Sequence, residues 1–223
     1  MIEIRELCKS YPSPTGKKTL PVLSGLNFSV KDGEFVAIMG ESGAGKSTLM
    51  NIIGGMDLPD SGSYCLSGVE MTALTPKELT AFRGSQIGFI FQNCSLIPSL
   101  TAFENVELPL KYRKIGRRER LDRTTQALNL VGLARRMHHL PGQLSGGQRQ
   151  KAAVARAIAS DAPMILADEP TGSLDAASGK EVMQSLSRLH RQGKTVLLIT
   201  HDPKAAAYAE RVVVLKEGRI QEK

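Results

Sequence analysis

No stretch of this 223-residue chain is both long and apolar enough to span a bilayer. The longest apolar runs, Phe35 to Met39, Val196 to Ile199 and Val212 to Leu215, are strand-sized, whereas a spanning helix needs about 20 mostly apolar residues. The first residues include Glu3 and Glu6 and lack the basic-then-apolar order of a secretory signal, so the chain is expected to stay in the cytosol. Cysteine is scarce: Cys8, Cys65 and Cys94 are odd in number, far apart and in no CxxC arrangement. That argues against a zinc site and against a disulfide framework. Repeats, low-complexity tracts and flexible linkers are also lacking, so residues 1–223 read as one domain with two lobes.

What is present suits a folded protein, with 41% hydrophobic and 23% charged residues. The formal charge of +7 suits nucleic acid, an anionic membrane surface or a polyanionic ligand, and charge alone does not choose among them. Apolar, β-rich runs at 35–39, 87–91, 164–167 and 196–199 read as buried strands. Helical patterns intervene at Ala152 to Ala159 and at Val182, Leu186 and Leu189. This alternation predicts an α/β fold with a mainly parallel sheet. Ile2 to Leu7, Phe28 to Val30 and Tyr64 to Leu66 predict a small antiparallel β lobe. From about Leu96 to Leu144 the pattern is helical and polar, a helical subdomain over about 93–145. It carries a basic run of Lys111, Arg113, Lys114, Arg117, Arg118 and Arg120, open to reading as a lipid contact, a protein contact or a solvated helix face.

The strand Phe35 to Met39 runs into Gly40-Glu41-Ser42-Gly43-Ala44-Gly45-Lys46-Ser47, followed by the helical start Thr48-Leu49-Met50. This fits G-x-x-x-x-G-K-S/T in the required strand, loop, helix order. The glycines let the backbone curl with its N–H groups pointing inward, and the helix adds its positive end, so an anionic phosphate is held largely by main chain. Lys46 can reach the β- and γ-phosphates, and the Ser47 hydroxyl is placed for Mg²⁺. The loop alone implies a nucleoside triphosphate and does not name the machine.

A second anion-receptive helix start follows at Leu144-Ser145-Gly146-Gly147-Gln148. Met164-Ile165-Leu166-Ala167-Asp168-Glu169 is a buried strand ending in two acids, at the edge where parallel sheets present catalytic groups. The pentapeptide resembles the signature of the ABC ATPase family, and the resemblance extends along essentially the whole chain. It implies that ATP is gripped by Gly40 through Thr48 of one copy and by Ser145, Gly146, Gly147 and Gln148 of a second copy, in a head-to-tail homodimer. It further implies that Asp168 is the magnesium-associated carboxylate and that Glu169 positions or deprotonates the attacking water. Asp175, in Ser173-Leu174-Asp175, matches the D-loop that crosses the dimer interface. His201 matches the switch histidine at the γ-phosphate. Gln92 matches the Q-loop glutamine, able to join Mg²⁺ or the water, and Tyr11 lies where an aromatic stacks on adenine.

Within that family, Asn51-Ile52-Ile53-Gly54-Gly55-Met56-Asp57, Ile87 to Gln92, Glu104-Asn105-Val106 and Ala167 to Gly172 are similar to the MacB, LolD and FtsE group. Lys151 and Ala152 depart from the arginine and branched residue common after that group's signature. The resemblance implies a separate transmembrane permease with few helices and a large extracytoplasmic domain, and a peripheral place on the cytoplasmic face of the membrane. Export or mechanotransmission is the expected work, with FtsE-like control of an extracytoplasmic enzyme or sensor as the alternative. A DNA-associated ABC ATPase would carry a coiled coil or zinc insertion between loop and signature, and residues 54–143 show neither heptads nor cysteine pairs. No nucleic-acid partner is therefore expected. The adjacent His138 and His139 receive no role.

Overall fold

The computed structural model describes residues 1–13 and 19–222. In chain order the elements are β1 (Ile2–Pro12), β2 (Thr19–Val30), β3 (Phe35–Met39), α1 (Lys46–Ile53), β4 (Ser61–Leu66), β5 (Val69–Glu70), α2 (Pro76–Gln86), β6 (Ile87–Ile90), α3 (Ala102–Tyr112), α4 (Arg117–Leu130), α5 (Gly146–Ser160), β7 (Met164–Asp168), α6 (Ala176–Arg191), β8 (Thr195–Ile199), α7 (Pro203–Ala206), β9 (Arg211–Lys216) and β10 (Arg219–Glu222). They fall into two compact units, Met1–Arg83 with Leu197–Lys223, and Gly84–Val196.

In the first unit the expected antiparallel sheet forms with strand order β2-β1-β4-β5. Ile2 pairs with Val30 on one side and Leu66 on the other. Alternation buries Ile2 and Ile4 and exposes Glu3 and Arg5, then breaks where the register shifts before Leu7. Glu6 adopts φ 47 at that irregularity, so Leu7 returns to the buried face. The Tyr64 hydroxyl donates to the Ile53 carbonyl at 2.6 Å, which fastens this sheet to the end of α1. Beside it, β3 pairs in parallel with β9, and β9 pairs antiparallel with β10. Phe35, Val36, Ala37 and Ile38 are wholly buried, as a continuous apolar run in a parallel strand requires.

In the second unit β6 and β7 pair in parallel, from Ile87 opposite Met164 to Ile90 opposite Ala167. Helices α3, α4 and α6 pack on α5. The α5 face is built of Ala152, Ala153, Ala155, Ala157 and Ala159, all buried, so neighbouring backbones approach closely. Thr101 and Glu104 form a reciprocal capping box that starts α3. The buried Asn105 then holds the preceding turn: its oxygen accepts from the Ile97 N–H at 2.7 Å, and its amide donates to the carbonyls of Leu100 and Thr101 at 2.9 and 3.0 Å.

The basic run is not one helix face. It is broken between α3 and α4, with Lys114 at φ 56 in the turn. Lys111 and Arg120 close on the buried Glu107 from two helices, at 2.8 and 2.5 Å. Arg113 donates to the Ser160 carbonyl. Half of the run is therefore engaged within the unit.

Candidate functional site

The glycine loop is shaped by what crowds it. A Cβ at Gly40 would lie 2.5 Å from the Leu215 carbonyl oxygen of β9, and one at Gly45 would lie 3.0 Å from Leu23 Cδ2 and 3.1 Å from the Val22 carbonyl oxygen. Gly43 and Gly45 also hold φ 83 and 99, where a side chain is strained. The turn closes through Ala44 N–H to the Glu41 carbonyl at 3.2 Å. Helix α1 starts at Lys46 with Gly45 as its N-cap, no capping side chain and no acid in its first turn. Its amino end is thus left for an anion. Lys46 Nζ donates to the carbonyls of Gly40 at 2.7 Å and Glu41 at 2.8 Å, which lays the ammonium along the loop. Glu41, Ser42, Gly43 and Ser47 are exposed, and Thr48 is half-buried.

His201 lies in the same unit, just after β8. The buried Thr200 donates its N–H to the Ile38 carbonyl at 3.1 Å, which sets His201 beside the carboxyl end of β3, where the glycine loop begins. Asp202 fixes the following turn, donating its N–H to Thr200 Oγ1 at 3.0 Å and accepting from Lys204 N–H at 2.8 Å. Tyr11, on β1, donates its hydroxyl to Asp57 Oδ2 at 2.7 Å. Burial, then that bond, raises the Tyr11 pKa above its ordinary value. Asp57 is held low: burial works against its charge, but hydrogen bonds from Lys9 and Tyr11 outweigh it.

In the second unit the parallel register of β6 and β7 brings Gln92 and the acidic pair to one sheet edge. A Cβ at Gly172 would lie 3.2 Å from Gln92 Nε2 and 3.7 Å from Glu169 Cβ, so the Gln92 amide rests on the turn that Glu169 opens. Glu169 is 9% exposed with φ 42, and its carbonyl accepts from Gly172 N–H at 3.0 Å. A non-glycine residue in that region is strained, and such strain gathers at functional positions. Asp168, at the end of β7, is half-buried.

Ser145 is the N-cap of α5. Its Oγ accepts from Gln148 N–H at 3.3 Å, and Gln148 Oε1 accepts from Ser145 N–H at 3.0 Å. The Ser145 hydroxyl proton stays available to a ligand, and the helix start stays rigid. Gly146 and Gly147 are half-buried behind it. Asp175 caps α6, accepting from Ser178 N–H at 2.9 Å and Ser178 Oγ at 2.8 Å. The backbone bond from Ser178, then the hydroxyl, lowers its pKa. Lys151 forms an ion pair with Glu181 of α6 at 2.5 Å.

Sequence reasoning missed the residues that hold these groups. Gln150 Nε2 donates to the Phe91 carbonyl at 3.3 Å, while its Oε1 accepts from Cys94 Sγ at 2.8 Å. Arg156 donates to the carbonyls of Ser95 at 2.7 Å and Cys94 at 3.0 Å. Both ride on α5 and grip the loop after Gln92. A lone arginine inside the alanine-rich run was the one available signal.

The ABC transporter family profile matches residues 23–172. An uncharacterized ABC transporter ATP-binding protein of Bacillus subtilis (strain 168), YknY, is 47% identical over 220 residues, covering 99% of this chain and 95% of that one. The macrolide export ATP-binding/permease protein MacB 1/2 of Paracoccus denitrificans (strain Pd 1222) is 49% identical over 99% of this chain, which spans 33% of that protein. Among solved structures, a dimeric ATP-binding cassette in a post-hydrolysis state bound to ADP and Pi superimposes with TM-score 0.92 at 43% identity, covering 100% of this chain and 98% of that one.

Proposed function

This chain belongs to the ABC transporter family and is one of its ATP-binding, ATP-hydrolysing cassettes; from that premise we propose that two copies close head to tail on ATP and drive a separate membrane permease. The carrying observation is the glycine cradle itself, with Gly40 and Gly45 sterically obligatory and Lys46 already folded along the loop.

In this reading the N–H groups of Gly40 through Thr48 bind the β- and γ-phosphates, and Lys46 exchanges its two carbonyl partners for phosphate oxygens. Tyr11 stacks on the base. Glu169 orients the attacking water and takes its proton, while Gln92 and His201 contact the γ-phosphate region. Ser145 and Gly147 act on the nucleotide of the other copy, and Asp175 works at the interface between copies. The donor set of Ser47 hydroxyl, Asp168 carboxylate and Gln92 amide oxygen is all hard oxygen. Oxygens of this kind would hold Mg²⁺. When bound, that ion neutralises charge on the phosphates.

We also read the two units as one nucleotide-binding domain, with 93–145 as its helical subdomain. Among the described residues no helix is long and apolar enough to cross a membrane. MacB joins both functions in one chain by its name, and the resemblance of the motifs to the MacB, LolD and FtsE group carries the expectation of a permease with few helices and a large extracytoplasmic domain. The chain then sits at the cytoplasmic face.

The test is purification of the chain with whatever membrane protein accompanies it, followed by ATPase assay with Mg²⁺. The expected result is turnover that Glu169→Gln abolishes while ATP binding persists. Recovery with nucleic acid and no membrane protein, or turnover indifferent to Glu169→Gln, overturns the proposal.

A further inference from the structure

Tyr11 does not stand alone on β1. Its hydroxyl donates to Asp57 Oδ2 at 2.7 Å, and the Lys9 ammonium lies 5.3 Å from the centre of its ring. Lys9 and Tyr11 are two apart on a strand and so share a face. Lys9 is itself pinned: it donates to Asp57 Oδ1 at 2.9 Å and to the Leu58 carbonyl at 2.6 Å, with Asp60 at 3.6 Å. The backbone is stitched in the same place, Ser10 N–H to Asp60 Oδ2 at 2.7 Å and Asp60 N–H to the Cys8 carbonyl at 2.9 Å.

The other end of this network is the phosphate-binding helix. Asp57 and Met56 donate their N–H groups to the Asn51 carbonyl of α1 at 3.1 and 2.8 Å. Asn51 lies five residues along the helix from Lys46, about 7–8 Å along its axis. The aromatic ring and the phosphate loop are thereby tied to one rigid element.

We propose that Asp57, assisted by Lys9, is a positioning residue that holds the Tyr11 ring at a set distance and tilt from the phosphate loop, so that base and triphosphate are gripped together. This rests on the reading that Tyr11 stacks on the base. Lys9 sits over one side of the ring. Asp57 lies behind the hydroxyl and touches neither base nor phosphate. Its effect falls on the base alone.

The test compares two probes on the full chain by titration calorimetry: the β,γ-imido analogue of ATP, which has a base, and inorganic triphosphate, which has none. Tyr11→Ala is expected to weaken the imido analogue about tenfold or more, a stacking loss, and to leave triphosphate unchanged. Tyr11→Phe keeps the ring and loses only the hydroxyl. It and Asp57→Asn are each expected to weaken the analogue by about two- to tenfold, the net worth of one hydrogen bond. The double variant should be no weaker than Asp57→Asn alone, because the hydroxyl link is already weakened there.

If Tyr11→Ala binds the analogue like the unaltered chain, the stacking reading itself falls. If Tyr11→Ala is weakened but Tyr11→Phe and Asp57→Asn are not, only the positioning role is overturned. Equal weakening of triphosphate by Asp57→Asn would place its effect on the phosphate loop and overturn it too. Should Asp57→Asn fold poorly, Tyr11→Phe decides the same question.

Discussion

Gly147 and Ser178 meet across α5 and α6: a Cβ added at Gly147 would lie 2.6 Å from Ser178 Oγ and 3.0 Å from Ser178 Cβ. Ser178 is not free to swing away, since its hydroxyl donates to Asp175 Oδ2 at 2.8 Å. The signature helix and the capped start of α6 are therefore in steric register. Gly147→Ala is expected to lower stability by about 1–3 kcal/mol through overpacking. Adding Ser178→Ala should recover part of that loss, since it removes the nearer atom. Urea midpoints of the three variants check this, and no recovery in the double variant would exclude the contact as the cause.

Arg156 spans two carbonyls on residues with left-handed backbone, Cys94 at φ 58 and Ser95 at φ 45. A lysine keeps the charge but cannot bridge both with a planar fork. Arg156→Lys should therefore raise amide hydrogen exchange across residues 93–97 above that of the unaltered chain while leaving β6 and α3 as they were. Unchanged exchange in that segment would argue that the loop is held by other means.

Glu107 is 5% exposed and paired with Lys111 and Arg120. Burial works against its charge, but hydrogen bonds from Lys111 and Arg120 prevail and its pKa falls below the ordinary value. A carboxyl with a lowered folded pKa adds stability in full above its unfolded pKa, roughly 4.3. That contribution is lost as pH falls toward the folded value. Glu107→Gln should cost about 1–3 kcal/mol at pH 7, as for hydrogen bonds to charged groups. The deficit should shrink as pH falls below the unfolded value of roughly 4.3, because the unfolded parent then takes up a proton before the folded one does. Denaturant midpoints at the two pH values measure it, and an equal deficit at both would count against the ion pairs.

Gly43 and Gly45 separate strain from crowding. Both have positive φ, 83 and 99, but a Cβ at Gly43 meets nothing within 4 Å while one at Gly45 meets Leu23 and Val22. Gly43→Ala should cost about 1–2 kcal/mol from backbone strain alone. Gly45→Ala should cost more and should weaken ATP binding further, which thermal melts and ATP titration would reveal.

Much of this was legible without coordinates. The four strands read from apolar runs are present as β3, β6, β7 and β8, with Ile87 to Phe91 ending one residue early at Ile90. The amino-terminal antiparallel lobe pairs as expected, because period-two burial over Ile2 to Arg5 marks the strand and the irregularity at Glu6 returns Leu7 to the buried face. The basic run misled as a possible single face, since the turn at Lys114 cannot be seen in charge spacing.

The sequence by itself determined the chemistry-bearing segments: the glycine loop ending in Lys46 and Ser47, the Ser145 helix start, and the acidic end of β7. Each is a contiguous string whose local geometry follows from glycine freedom, helix-end polarity and strand periodicity. Only the tertiary structure decided what holds those segments in place. Tyr11 meets Asp57 across 46 positions, Arg156 meets Ser95 across 61, and Gln150 meets Cys94 across 56. Such pairs depend on the register of packed elements, and a polar side chain's distant partner leaves no periodic trace in the residues around it.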